Sequence, residues 1–327
     1  MANKARSVLV ILFLFFFNSF LQAQQPRDMA PSRRQNMFGR KLLAYQAYNF
    51  ADSTLADGSC MEFHIAVVND LLTFIRTEDR QFRARYEISV IIYNNRKEVL
   101  VERSLSNRVV VSTFAETNSR SNPSMHKIAI TLPAGRYSGL LKLSDIESSE
   151  ILTEELQLTF RNFSRDRLHL SDIMFLDRID STSTERRHQP NVRNLFDDVT
   201  SAFAAFVELY PPEGAAQVDV TLSIVSKGQK LFEGARRYPA PQKAISLIVP
   251  FREHLSRPGE YYLLVNATTG TESVKVQRIF NVSWGNVPLK ENNLDIAVEQ
   301  LAVIANKRTI DSMRQADEAG KKQLYDQ

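Results

Sequence analysis

The chain has 327 residues, a formal net charge of +4, 11 glycines and one cysteine, Cys60. This charge is too small to indicate a polyanionic partner, and no alternation of aromatic with basic residues supports base stacking, so we expect no nucleic-acid binding. One thiol allows no internal disulfide, so the cores must be held together by packing. Because Cys60 flanks a strand-like run, we expect it to be buried and unreactive.

The first 23 residues have the pattern of a secretory signal peptide. Lys4 and Arg6 precede an unbroken apolar run, Val8 to Phe17, and Leu21-Gln22-Ala23 ends in a small residue suited to cleavage. The run is shorter than the ~20 apolar residues that a membrane span prefers, so cleavage is favoured over retention as an anchor. The pattern predicts an exported protein that is periplasmic, outer-membrane associated or secreted, with no transmembrane span after cleavage.

The next segments change from polar to strand-like. Residues 24–40 contain few apolar side chains and predict a disordered leader. Further along, "CMEFHIAVV" (60–68) and "FRARYEISVIIY" (82–93) alternate apolar and mixed positions with a period of two. Such alternation is typical of antiparallel strands with one buried face, and it places His64 on the water-facing side.

A turn followed by a strand occurs twice. "PAGRYSGLLKL" (133–143) and "RPGEYYLLV" (257–265) each place a glycine two residues before a tyrosine. The four residues concerned are Gly135, Tyr137, Gly259 and Tyr261. We expect the glycines to adopt a turn conformation that other residues disfavour. The placement resembles the tyrosine corner of immunoglobulin-like and fibronectin type III sandwiches, in which a tyrosine near the start of the penultimate strand bonds the preceding corner.

The recurrence of this turn predicts the architecture. We expect a mainly β chain of two tandem immunoglobulin-like β-sandwiches, domain 1 over 41–164 and domain 2 over 167–284, followed by a short α-helical C-terminal segment. The cysteines of antibody domains are absent, because Gly139 and Leu263 occupy those positions. The alternative is that the two copies are unrelated hairpins in one larger sheet.

Two candidate binding surfaces follow from the pattern. The polar segment "TSTERRHQPNVRNLFDD" (182–198) contains a proline and no period, which predicts a loop. One candidate surface consists of the basic side chains of this loop, Arg186, Arg187, His188 and Arg193. We favour the interpretation that these side chains are only solvated. The second candidate is Tyr262, which is out of phase with Tyr261 and is expected to point outward, towards a sugar face or a protein partner.

No catalytic, cofactor or metal site is predicted. The five histidines lie far apart in the sequence, and no metal-binding, nucleophile-elbow or nucleotide-loop spacing occurs. Asp197 and Asp198 are adjacent, whereas a glycosidase pair needs two carboxyl groups facing each other across about 5–10 Å. We interpret them as part of a solvated loop or as a helix N-cap.

After Trp284 the period becomes helical, and residues 285–327 are expected to form a helical segment. One helical face is apolar: Leu294, Val298, Leu301 and Ile304. Together with "LSDIMFLDRI" (170–179), this layout resembles exported bacterial GWxTD domain-containing proteins, in which a helical lead-in precedes a C-terminal module. The Gly-Trp-x-Thr-Asp motif is absent from this sequence. The resemblance implies an envelope or secreted protein whose C-terminal domain would follow Gln327, and it identifies no functional residue.

The sequence thus predicts an exported, non-enzymatic interaction or scaffold protein of the bacterial cell envelope, without a cofactor, that binds through loops or exposed sheet faces. Its partner would be another envelope protein or a C-terminal domain of the same chain. Two alternatives stay open: a pair of carbohydrate-binding modules that recognises a polysaccharide, and the non-catalytic front part of a larger enzyme.

Overall fold

The computed structural model describes residues 43–52, 54–55, 57–179, 188–196, 203–240, 242–252, 255 and 257–283. The predicted signal peptide, leader and C-terminal helical segment lie outside these residues. Over the described residues the chain is mainly β, with a 3₁₀ turn at Asn69–Leu71 and a one-turn helix, α1, at Phe114–Thr117. No helix within them has the length and apolar character needed to cross a membrane.

The strands before residue 161 form two antiparallel sheets. They are β1 (Ala44–Ala51), β2 (Gly58–Val67), β3 (Ile75–Arg76), β4 (Phe82–Tyr93), β5 (Val99–Val111), β6 (Ser124–Pro133), β7 (Gly135–Asp145) and β8 (Ile151–Phe160). Sheet 1 has the order β1-β2-β6. In sheet 2, β4 lies between β5 and β7, β8 follows β7, and the short β3 pairs with one end of β4.

The later strands form two further sheets. They are β9 (His169–Leu170), β10 (Met174–Arg178), β11 (Gln189–Pro190), β12 (Leu195–Phe196), β13 (Ala204–Tyr210), β14 (Gln217–Ser226), β15 (Gln229–Pro239), β16 (Ile245–Pro250), β17 (Gly259–Thr269) and β18 (Glu272–Val282). Sheet 3 has the order β11-β10-β13-β16, with β9 also pairing with β13, and sheet 4 has the order β12-β18-β17-β14-β15. The order β5-β4-β7-β8 therefore recurs as β15-β14-β17-β18, and β1-β2-β6 recurs as β10-β13-β16.

Each pair of sheets encloses a hydrophobic core. Between sheets 1 and 2, the alternating residues Phe63 on β2 and Ile88 on β4 are fully buried. Between sheets 3 and 4, Val207 on β13 and Phe280 on β18 are fully buried in the same way. Burying each such side chain contributes about 1.5–3 kcal/mol. The prediction of a mainly β chain is confirmed, and a sandwich arrangement fits both pairs of sheets.

Both repeated turns carry a tyrosine hydrogen bond. The hydroxyl of Tyr137 donates to the carbonyl oxygen of Pro133 at 3.1 Å. The hydroxyl of Tyr261 donates to the carbonyl oxygen of Arg257 at 2.6 Å. In each case the bond spans four residues and ties the start of the strand to the preceding corner. Burial raises the pKa of Tyr261, which keeps its hydroxyl protonated as a donor.

Different structural constraints favour glycine at the two turn positions. Gly259 has a φ of +147°, which residues with a Cβ rarely adopt. Gly135 lies outside that region, so the expected turn conformation is wrong for it. A Cβ on Gly135 would come within 3.2 Å of Cε2 of Tyr137, so what restricts this position is the tyrosine ring lying beside it.

Candidate interaction surfaces

Sheets 1 and 3 pack against each other through the faces that point away from the two cores. A third buried apolar cluster joins them: Tyr48, Phe50, Met174, Leu176 and Ala204. Tyr48 is completely buried, and the ring of Phe50 lies 6.0 Å from that of Phe206. Sheet 3 is therefore covered on both sides, and the four sheets are stacked in the order 2-1-3-4. We call the contact between sheets 1 and 3 the junction.

The junction explains why His64 is buried, with only 7% of its surface exposed, although its strand pattern predicts exposure. Its ring lies 5.6 Å from that of Tyr48 in a T-shaped arrangement, and its Nε2 lies 3.1 Å from Oε2 of Glu62. The period of a strand shows which face is polar, but it does not show that a second sheet covers that face. Burial disfavours the charge of Glu62, yet hydrogen bonds from His64 and Lys127 outweigh it and lower the pKa of Glu62.

A polar network lies next to this apolar cluster, centred on Asn49, which is almost fully buried. The backbone N–H of Asn49 donates to Oδ2 of Asp172 at 2.7 Å, and its Nδ2 donates to the carbonyl oxygen of Thr159 at 3.1 Å. Its Oδ1 accepts from Oγ of Ser59 at 2.8 Å. Arg161 completes the network through Nη2, which lies 3.0 Å from Oδ1 of Asp172. One asparagine thus links β1 and β2 to the end of β8 and to the segment before β10.

Arg278 extends from β18 to β1 across the edge of the junction. Its guanidinium lies 4.7 Å from the ring centroid of Tyr48, and it donates to Oε1 of Gln46. Nε2 of Gln46 in turn donates to the carbonyl oxygen of Val192 at 2.9 Å. Burial raises the pKa of Tyr48 to about 12, against the opposing effect of Arg278, so its phenol is neutral at physiological pH.

Tyr210 closes the other end of β1. The backbone N–H of Ala51 donates to the hydroxyl of Tyr210 at 2.9 Å, and this hydroxyl donates to Oε2 of Glu208 at 2.5 Å. Burial, with the charge of Glu208, raises the pKa of Tyr210. The side chain of Tyr210 belongs to the junction rather than to the core between sheets 3 and 4. Only the placement of β1 beside β13 shows this.

The predicted basic surface is only partly described. Arg186 and Arg187 lie outside the described residues. His188 is half-buried, with its ring 5.8 Å from that of Phe206. Arg193 is exposed, and its Nη2 donates to the carbonyl oxygen of Arg120 at 3.3 Å. Since Arg120 precedes β6, Arg193 contributes to the contacts between the first and second pairs of sheets.

The segment 182–198, predicted to be one loop, contains the short strands β11 and β12. Phe196 is fully buried, with its ring 5.5 Å from that of Phe175. Nδ2 of Asn191 donates to the carbonyl oxygen of Leu195 at 2.7 Å, which holds the connection between the two strands. The loop prediction is wrong for these four strand residues, because two-residue strands are too short to show a period. Asp197 and Asp198 lie outside the described residues.

Tyr262 lies half-exposed on the outer face of sheet 4. The register places Val225 of β14 opposite it on one side and Ile279 of β18 opposite it on the other. Both neighbours are also half-exposed. An aromatic side chain flanked by two aliphatic ones therefore forms an apolar row across three strands, facing water. We call Val225, Tyr262 and Ile279 the outer row.

An open depression of about 220 Å³ lies at the far end of β14 and β17 from the outer row. It is lined by Ala216, Gln217, Asp219, Thr268, Thr269 and Gly270. Its one carboxylate, Asp219, forms a two-point ion pair with Arg237 at 2.6 and 3.0 Å. This pairing lowers the pKa of Asp219 and occupies the charge that a ligand would use.

The described residues contain no group of three His, Cys, Asp or Glu side chains placed to hold a metal ion. Cys60, which lies opposite Phe50 of β1, is half-buried rather than buried. Burial raises the pKa of the Cys60 thiol, so the reactive thiolate is scarce at neutral pH.

No family model and no curated protein sequence matches this chain. Among solved structures, the chain is similar to part of the crystal structure of Parabacteroides merdae β-glucuronidase, with 11% sequence identity and a TM-score of 0.24. The match covers 69% of this chain and 28% of that one, so this chain spans well under a third of the enzyme. A similarity at this level supports no conclusion about activity.

Proposed function

We propose that this chain is an exported, non-enzymatic interaction protein of the bacterial cell envelope, in which two tandem immunoglobulin-like sandwiches form one rigid platform. The observation that carries the proposal is the junction. A flexible pair of domains needs a small, polar contact, whereas this contact combines a buried apolar cluster with a buried hydrogen-bond network.

The repeated strand order supports two sandwiches within 41–164 and 167–284. Strands β5-β4-β7-β8 and β15-β14-β17-β18 have the same order, and Tyr137 and Tyr261 make the same hydrogen bond at the start of the third strand of each set. A tyrosine bonded to its preceding corner is a feature of immunoglobulin-like sandwiches.

The stacking order supports binding through sheet faces. Because sheets 1 and 3 cover each other, sheets 2 and 4 are the outer layers of the stack. The outer row on sheet 4 is the apolar group on these faces that best fits a protein partner, since an aromatic side chain beside aliphatic ones supplies contact area at low entropy cost. We propose it as the docking point for another envelope protein or for a C-terminal domain of the same chain.

The export part of the proposal depends on the signal-like N-terminus and on the resemblance to exported GWxTD domain-containing proteins. Fractionation of source cells, followed by N-terminal sequencing of the chain, tests it. Recovery from the envelope or medium with an N-terminus near Gln24 supports export. Recovery from the cytoplasm with Met1 retained refutes it.

Photo-crosslinking tests the interaction part. A photoreactive residue replaces Tyr262 in one variant and Tyr93, a half-exposed tyrosine on sheet 2, in the control. We expect one discrete adduct in source cells from position 262 and none of that mass from position 93. Equal labelling at both positions, or no adduct at position 262, contradicts the proposal.

Carbohydrate binding is the second candidate, because Tyr262 presents one aromatic ring on a sheet face. Pull-down on insoluble polysaccharides, with Tyr262→Ala as the comparison, separates the two functions. Saturable retention that the substitution removes favours carbohydrate binding. Absence of retention, with a protein adduct at position 262, favours the platform.

A further inference from the structure

Strand β5 forms an open edge of sheet 2. It pairs with β4 along its length and with no other described strand. Three apolar side chains along it are exposed, with Val99 at 57%, Leu100 at 45% and Val110 at 44%, and Phe114 just beyond it is 69% exposed. An exposed edge of 13 residues is a template on which another strand can pair.

The sequence of β5, "VLVERSLSNRVVV", is nearly symmetrical about Leu105. Val101 and Val109 lie four residues from this centre on either side, and Ser104 and Ser106 lie one residue from it. If two copies of β5 pair antiparallel with Leu105 opposite Leu105, Val101 of each copy faces Val109 of the other, and Ser104 of each copy faces Ser106 of the other. The residues that face each other lie on the same side of the combined sheet.

The charges in this register are complementary. Glu102 and Arg108 lie three residues from the centre on either side, so Glu102 of each copy faces Arg108 of the other. Leu100 likewise faces Val110, which places two exposed apolar side chains together. Opposite charges directly across a strand pair stabilise it, and like charges destabilise it.

Within its own chain β5 does not satisfy these charges. Arg108 lies opposite Arg85 on β4, and Arg85 already forms an ion pair with Glu147 at 2.7 Å. Glu102 lies opposite the apolar Ile91. Neither Glu102 nor Arg108 forms an ion pair with any described residue. A second copy would supply both missing counter-charges.

Strand β15 is the corresponding edge of sheet 4, and it differs in these respects. Glu233 pairs with Lys230, and Arg237 pairs with Asp219, all within sheet 4. It also ends in Pro239, which cannot donate a ladder hydrogen bond. Strand β15 therefore lacks the free charges that favour pairing at β5.

We propose that β5 is a homodimerisation edge, at which two copies of this chain join antiparallel about a two-fold axis through Leu105 and make one continuous sheet. The partner is a second copy because the strand complements itself in both charge and apolar pattern, as a two-fold interface requires. This proposal does not depend on the proposed function, which concerns the opposite end of the sheet stack.

Sedimentation equilibrium on the full chain and on charge variants tests the proposal. We expect a dimer for the unchanged chain. Glu102→Arg and Arg108→Glu each place like charges in both symmetry-related pairs, and each should weaken dimerisation about tenfold or more. In a mixture of the two variants, the substituted position 102 of one copy faces the substituted position 108 of the other, and the two carry opposite charges. The second pair consists of the unsubstituted Arg108 of the first copy and the unsubstituted Glu102 of the second. The mixture should therefore dimerise again. Glu155→Arg, on the opposite edge of sheet 2, is the control and should dimerise like the unchanged chain.

Each outcome decides the proposal. A monomeric unchanged chain overturns it, as does a dimer that both single variants retain, since the contact would then lie elsewhere. Recovery of a heterodimer on mixing excludes misfolding as the cause of the loss, because a misfolded variant would not recover. Failure to recover, with both variants showing unchanged thermal unfolding, also overturns the proposed register.

Discussion

Asn49→Ala is the sharpest test of the junction. The substitution removes a side chain that donates to the carbonyl oxygen of Thr159 and accepts from Oγ of Ser59. Ser59 is fully buried and Asn49 is 1% exposed, so water does not readily replace these bonds. Each buried group left unpaired costs about 1–3 kcal/mol. With two such groups, we expect a loss of about 2–6 kcal/mol in the free energy of unfolding.

Urea unfolding followed by circular dichroism measures this loss. Asn281→Ala is the matched control, because Asn281 is exposed on β18 and its change should stay within about 0.5 kcal/mol. Asn49→Asp should be worse than Asn49→Ala, since it places a carboxylate 3.3 Å from Oδ2 of Asp172, where the Asn49 amide nitrogen lies. If Asn49→Ala loses no more stability than the control, the network does not hold the junction and the rigid-platform argument fails.

Three further predictions concern the sheets. Gly139→Ala should destabilise the fold by about 1–3 kcal/mol, because the new Cβ would lie 2.8 Å from the carbonyl oxygen of Ile91 on the paired strand. An unchanged midpoint of thermal unfolding would contradict the close approach of β4 and β7. Tyr261→Phe should cost about 0.5–1.5 kcal/mol by removing the hydrogen bond to Arg257, and no loss in urea unfolding would mean that the corner bond contributes nothing. Because the folded state lowers the pKa of Glu62, this carboxylate contributes stability above its ordinary pKa near 4.5, and the contribution is lost as the pH falls through the lower folded value. Glu62→Gln should therefore flatten the acid side of the plot of unfolding free energy against pH. An unaltered slope would contradict this.

Local pattern predicts the strands well, because alternation reports which face of a strand is buried. The alternating apolar positions of 60–68 and 82–93, except Phe82, are the ones that fill the first core. The repeated glycine–tyrosine turns are visible in sequence because the tyrosine hydrogen bond, and at Gly259 the backbone angle, depend on residues within five positions of each other. Such short-range constraints leave a direct sequence signal.

The junction leaves no such signal. His64 and Glu62 occupy the polar phase of β2, and nothing nearby in the sequence shows that sheet 3 covers them. Arg278 is 232 residues from Gln46, its hydrogen-bond partner. The self-complementarity of β5 is readable from sequence, but its significance depends on knowing that β5 is an edge strand. Contacts between distant segments are therefore visible only in the fold.

The stacking order also bears on how the chain is made. Strands β1 and β2 emerge from the ribosome long before β10, β13 and β16, so the aromatic side chains of Tyr48 and Phe50 have no covering layer until roughly two-thirds of the chain exists. An exported chain would pass through this half-covered state on the far side of a membrane, where exposed aromatic surface favours aggregation. A fragment that ends after β8 keeps its own core but exposes this face permanently, so it should be prone to aggregation and dependent on chaperones even though its sandwich is intact.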